Sequence, residues 1–403
     1  MNPSLPEQSG FSSARLKQLD TLFGEYVAGQ KLVGIAATVA RKGQTVYLNK
    51  FGLADTQPEK PLEYDTIYRI ASMTKPVTSV AAMMLYEQGK FHLNTPVYEF
   101  IPGFRDLKVF VRANGDDLEV EDLKGPLTMR NLFTHTSGLT YGFIADDPID
   151  RLLNAKLEVL RKKGGEFNAA DVVGEIQTLP LAFQPGTQWR YGMNIEVLGH
   201  IIEILSGQSL ADYMAQHIFE PLGMPDTGFY VPEGKLERLA AVYGRPESPD
   251  KMVRLDFRNQ TTLPRFQSGG GGLVSTLPDY ARFCQMLVNG GELNGTRLLS
   301  PTTVAMYSAN QCPEQALPLN YAGDFLYHAG YGFSLATRVL MTPAKTGIYG
   351  SAGEFGWDGA FGTYFWVDPV ESLYGLLMIQ YSPNAYFPIA IQFKQLAYAA
   401  LIR

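Results

Sequence analysis

The chain has 403 residues, more than one ordinary domain of roughly 100–200 residues, so two interlocked lobes are expected. Hydrophobic residues make up 45% and charged residues 18%, a composition that builds a sizeable core and excludes disorder. The net charge of -6 is spread along the chain, and without a basic stripe to neutralise phosphates nucleic acid is excluded as a partner.

The first ten residues are polar and hold Pro3 and Pro6, without a cationic region followed by an apolar one. No apolar run approaches the roughly 18 residues that cross a bilayer, so no membrane partner is expected and the cytoplasm is the simplest location. After Ser12 and Ser13, either able to cap a helix, Leu16, Leu19, Leu22, Phe23, Tyr26 and Val27 recur at helical spacing. Val33 to Arg41 and Gln44 to Phe51 then read as two strands joined by a Lys42-Gly43 turn. Helical stretches follow at Val77 to Gln88, Ile195 to Leu205 and Leu210 to His217. The run Gly269 to Gly272 reads as a tight strand entry, since the lysine and βαβ context of a phosphate loop are missing. Cys284 and Cys312 match neither a zinc nor a redox spacing and read as packing residues. Ala360 to Asp368 and Leu373 to Gln380 form a second predicted hairpin, and Ile389 to Ile402 a closing helix.

The economical architecture is α+β. An antiparallel sheet built from both termini occupies residues 1–85 and 295–403, and a mostly helical insertion occupies residues 86–294, with approximate boundaries.

The sharpest local signal is Ile70-Ala71-Ser72-Met73-Thr74-Lys75-Pro76. A spacing of three puts Ser72 and Lys75 on one helical face, and Pro76, tolerated only in the first turn, places the helix start near Ser72. A hydroxyl nucleophile, an amine and a helix-end N–H are what acyl transfer needs. Taken alone, the pair reads equally well as two surface residues of a helix.

The surroundings decide. Leu132-Phe133-Thr134-His135-Thr136-Ser137-Gly138-Leu139 and Gly270-Gly271-Gly272-Leu273-Val274-Ser275-Thr276 accompany the S-x-x-K, and together they resemble the serine beta-lactamase and penicillin-recognising superfamily. The similarity runs from about residue 10 to about residue 395 and is greatest to family VIII carboxylesterases and lovastatin-type acyltransferases. The resemblance implies a beta-lactamase-like fold with its active site at the interface between sheet and helical insertion.

The resemblance also implies a tyrosine about a hundred or more residues after the serine, and Trp189-Arg190-Tyr191-Gly192-Met193-Asn194 fits. Tyr191 is then the general base: a neighbouring ammonium favours phenolate, which takes the serine proton. Alone, Tyr191 reads as one structural tyrosine among 22. Related lactamases carry asparagine two residues after this tyrosine; here Met193 stands there and Asn194 follows, which suits an ester or acyl-transfer site better than a lactamase. Asn194 remains a candidate substrate contact.

A literal Lys345-Thr346-Gly347 precedes a glycine-broken stretch and reads as a decoy. Counting back from the second hairpin, the motif position falls on Trp357-Asp358-Gly359, similar to the W-x-G of family VIII esterases. These three are candidate substrate contacts. Trp357 offers an apolar wall with one donor where a lysine would bind a carboxylate, so neutral acyl groups are expected. By the same resemblance, the N–H groups of Ser72 and Ala360 form the oxyanion hole.

No G-x-S-x-G elbow occurs, so His135 reads as a loop residue and not a triad base. His92, His200, His217 and His328 show no ligand spacing, and neither metal nor cofactor is expected. Tyr321, Phe325, Tyr327, Tyr331 and Phe333 are dense enough to line an acyl pocket, although core packing explains most of them. The expectation is a serine carboxylesterase for short- to medium-chain acyl esters that acylates Ser72. The alternatives are an acyltransferase, a weak cephalosporin-hydrolysing lactamase, a D-amino-acid peptidase and a catalytically dead binding protein.

Overall fold

The computed structural model describes residues 5–115, 117–245, 252–257, 259–319 and 329–403. In chain order, helix α1 (Ser13–Ala28) is followed by strands β1 (Gly34–Arg41), β2 (Gln44–Thr56), β3 (Glu59–Pro61) and β4 (Ile67–Arg69). Helices α2 (Thr74–Glu87), α3 (Pro148–Arg161), α4 (Ala169–Ile176) and α5 (Asn194–Ser206) come next, then β5 (Val274–Thr276) and α6 (Leu277–Val288). Strands β6 (Tyr331–Phe333), β7 (Arg338–Leu340), β8 (Phe355–Asp358), β9 (Tyr364–Asp368) and β10 (Leu373–Met378) and helix α7 (Ile389–Ala399) close the chain.

Among the described residues, eight strands form one antiparallel sheet in the order β6-β7-β8-β9-β10-β1-β2-β3, and β1 near the start of the chain pairs with β10 near its end. The β1–β2 turn is made by Lys42 and Gly43, both at positive φ (52° and 77°), the geometry a two-residue hairpin needs. Ser12 caps α1 by accepting from the Arg15 N–H at 3.3 Å. The apolar stripe of α1 then meets the sheet and α7: the Phe23 and Phe393 rings lie 5.7 Å apart, and Phe393 packs 5.1 Å from Trp366 of β9. On the opposite face α6 lies against β9 and β10, with Tyr280 5.3 Å from Phe365.

Two details differ from the sequence reading. Residues 360–363, expected to open a strand, form a turn, because Gly359 donates to the Thr363 carbonyl (2.8 Å) and Gly362 to that of Gly359 (2.8 Å). The helix from Leu210 keeps α geometry only to Met214 and widens to a π turn at Ala215–Phe219. Tyr331 and Phe333 are core residues of β6, while Tyr321, Phe325, Tyr327 and His328 lie outside the described residues.

Candidate active site

Ser72 stands at a constructed corner. Strand β4 pairs with β5, and the Ile70 N–H donates to the Leu273 carbonyl at 3.1 Å, so the approach to the serine is held by sheet bonds. Ala71 then takes a left-handed backbone (φ 43°), which costs a non-glycine residue about 1–2 kcal/mol and sharpens the turn that presents Ser72, which is half-buried. A single 3-10 turn, Ala71–Met73, leads into α2, with Pro76 in its first turn.

Helix α2 is buried almost all round, yet its first two turns carry polar side chains. Three of them reach the glycine run or the residue that follows it. Thr74 Oγ1 accepts from the Leu273 N–H at 3.1 Å, Lys75 Nζ donates to the Gly270 carbonyl at 2.6 Å, and Thr78 Oγ1 donates to the Gly269 carbonyl at 2.7 Å. The run therefore enters β5 as the sequence suggested, and it also fixes the lysine. A Cβ at 270 would sit 2.1 Å from Glu196 Oε1, so any larger residue there displaces that carboxylate.

Lys75 is 1% exposed and donates to Ser72 Oγ at 3.1 Å. Its ammonium lies 4.6 Å from the ring centre of Tyr191 and 5.1 Å from that of Tyr141, which stabilises the cation through the ring faces. Burial dominates, however, and pushes its pKa down to about 8 against the opposing pull of Glu196 and Asp358.

Tyr191 is held through its neighbours' main chain. The Arg190 N–H donates to the His135 carbonyl (2.9 Å), the Met193 N–H to the Thr140 carbonyl (3.1 Å) and the Gly192 N–H to His135 Nδ1 (3.3 Å). The Leu132–Leu139 motif is thus the cradle of the tyrosine loop. His135 is fully buried, and burial followed by the charge of Lys75 holds its pKa well below the usual histidine value. Burial therefore favours the neutral ring.

Trp357, next to last in β8, donates its indole N–H to Tyr191 Oη at 3.3 Å. The following residues are drawn against the serine corner: Thr363 Oγ1 donates to the Ile70 carbonyl at 3.3 Å, and a Cβ on Gly359 would lie 2.4 Å from that oxygen. Ala360 is exposed in the turn directly after Gly359. Lys345-Thr346 belongs instead to a short surface helix, Pro343–Thr346, outside the sheet.

Asn194 requires a correction. It was expected to contact substrate, but as the first residue of α5 it is fully buried: Nδ2 pairs with His135 Nδ1 at 2.8 Å and Oδ1 accepts from the Ser137 hydroxyl. Met193 lines the pocket in its place.

That pocket is a cavity of about 370 Å³ with Ser72, Lys75 and Tyr191 on one side and Phe143, Leu157, Leu160, Phe167, Val172, Met193 and Phe266 as apolar walls. Glu196, absent from the sequence reading, lies in the wall with only 4% exposure, and Tyr141 and Ser268 line it too. The signal for Glu196 was an acid flanked by Ile195, Val197 and Leu198 on the buried face of α5.

The chain matches the beta-lactamase family over residues 19–399 and belongs to it. It is 34% identical to Protein Rv1367c of Mycobacterium tuberculosis over 88% of this chain and 87% of that protein. It is 30% identical to Esterase EstB of Burkholderia gladioli over 95% of each chain. Among solved structures it resembles EstCE1, a hydrolase with promiscuous acyltransferase activity, with a TM-score of 0.79 and 23% identity over 98% of this chain and 100% of that one. The last likeness shows the shared fold.

Proposed function

We propose that the protein is a serine carboxylesterase that hydrolyses short- to medium-chain acyl esters through an acyl-enzyme on Ser72. The carrying observation is the convergence of Ser72, Lys75 and Tyr191 on one apolar cavity, with buried Trp357 bonded to the Tyr191 hydroxyl. Tyr191 takes the proton as Ser72 Oγ bonds to the ester carbonyl carbon, while Lys75 stays cationic and steadies the phenolate. The carbonyl oxygen, now negative, is received by the N–H groups of Ser72 and Ala360. Tyr191 returns the proton to the departing alkoxide, and water repeats the sequence to free the acid. Trp357 and Met193, at places where lactamases carry polar groups for the antibiotic, favour neutral acyl groups. The esterase name of EstB, 30% identical over 95% of the chain, supports this reading.

A parallel assay of wild type and Ser72→Ala on p-nitrophenyl acetate, p-nitrophenyl butyrate and nitrocefin tests it. Ester turnover lost in the variant, with little nitrocefin cleavage, is expected; near wild-type turnover by the variant sinks the mechanism. The second reading, transfer of the acyl group to an alcohol, draws support from the activity named for EstCE1. Product analysis with a competing alcohol separates the two.

A further inference from the structure

The carboxylate of Glu196 is a costly group in an apolar wall, and three neighbours surround it. Tyr141 Oη donates to both of its oxygens (3.0 and 2.9 Å), and Ser268 Oγ donates to Oε1 at 3.1 Å. Glu196 Oε1 also borders Gly270, whose carbonyl binds the ammonium of Lys75 at 2.6 Å. The lysine therefore lies between two tyrosine rings with one carboxylate built into the pocket beside it. A buried ammonium without a counter-charge is unstable and loses its proton.

We propose that Glu196, held by the Tyr141 and Ser268 hydroxyls, is the counter-ion that keeps Lys75 cationic, and so a positioning residue that sets the pH range of the reaction. The role rests on the proposed chemistry of Ser72, Lys75 and Tyr191. Glu196 acts through the lysine and forms no bond to substrate. The other groups facing Lys75 are Asp358 at the end of β8, which adds a second negative charge, neutral His135, Tyr141, Tyr191 and Ser72. Asp358 is less buried than Glu196, so solvent screens it more.

The test is the pH profile of kcat/KM on p-nitrophenyl butyrate for wild type, Glu196→Gln and Glu196→Asp. Glutamine keeps the shape and still accepts from Tyr141 and Ser268, but removes the charge. The alkaline limb in E196Q is expected to move to lower pH by about one unit or more, the size of shift that loss of one nearby opposite charge produces. In E196D it stays near the wild-type position. Unmoved limbs in E196Q overturn the proposal. A shift of the acid limb in place of the alkaline one keeps the counter-ion but makes Lys75, not Tyr191, the base, so the two failures are distinguishable. If E196Q does not fold, Glu196→Ala takes its place: its alkaline limb also moves to lower pH, and an unmoved limb overturns the proposal.

Discussion

Trp357 donates its indole N–H to the hydroxyl of Tyr191 at 3.3 Å and so ties the end of strand β8 to the proposed base. A donor aimed at this oxygen stabilises phenolate more than phenol, and a hydrogen bond to a charged group is worth about 1.5–3 kcal/mol. Trp357→Phe keeps an aromatic ring packed against Tyr191 and removes the donor. The expected result is a loss in kcat of roughly 10- to 100-fold with KM little changed. A variant with wild-type kcat would assign Trp357 to packing alone.

The pH profile of the wild-type enzyme follows from Lys75. Its pKa, pushed down to about 8 by burial, sets where the cation disappears. If Tyr191 is the base and Lys75 must stay charged, kcat/KM falls as pH rises through about 8. A rise through the same range would mean that the neutral amine takes the serine proton. Steady-state kinetics on a p-nitrophenyl ester between pH 5 and 10 decides.

Much of this site could be read from the chain before its structure, because the helix period and the position of Pro76 tie Ser72 to Lys75 without tertiary knowledge. The hairpin pattern likewise located Trp357 and rejected Lys345. What escaped was set by contacts between distant segments. Asn194 faces inward because the Leu132–Leu139 loop supplies its partners, and no local pattern shows which way the first residue of a helix turns. Glu196 is functional only beside Gly270 and Tyr141, segments brought together by the fold. The turn at 359–363 escaped because an aromatic and glycine-rich stretch reads as a strand until its main-chain bonds are known.

The cavity makes a prediction about chain length. Phe143, Phe167 and Phe266 give it apolar walls, and Phe167 and Phe266 pack with ring centres 5.7 Å apart. Each acyl methylene buried there contributes about 0.8 kcal/mol, about fourfold in kcat/KM. p-Nitrophenyl butyrate and hexanoate are expected to outrun the acetate, and Phe266→Ala should lower kcat/KM for the longer esters more than for the acetate. Equal values for all three esters in wild type would place the acyl chain elsewhere.

A last prediction concerns stability away from the pocket. Lys394 of α7 and Glu354, just before β8, form an ion pair with side chains only 2% and 3% exposed. Tyr398 donates to Glu354 at 2.9 Å and to Asp368 at 2.7 Å, so two carboxylates share this region with one lysine. Lys394→Met removes the cation and leaves Glu354 buried and unpaired, which costs about 3–5 kcal/mol. Replacing both partners, as in Lys394→Met with Glu354→Leu, avoids the unpaired charge and should recover most of that loss. The pair contributes no group to the cavity, so kcat per folded molecule should match wild type in both variants. Thermal and urea melts of the two variants check this, and a single variant as stable as wild type would show that solvent reaches Glu354 and screens it.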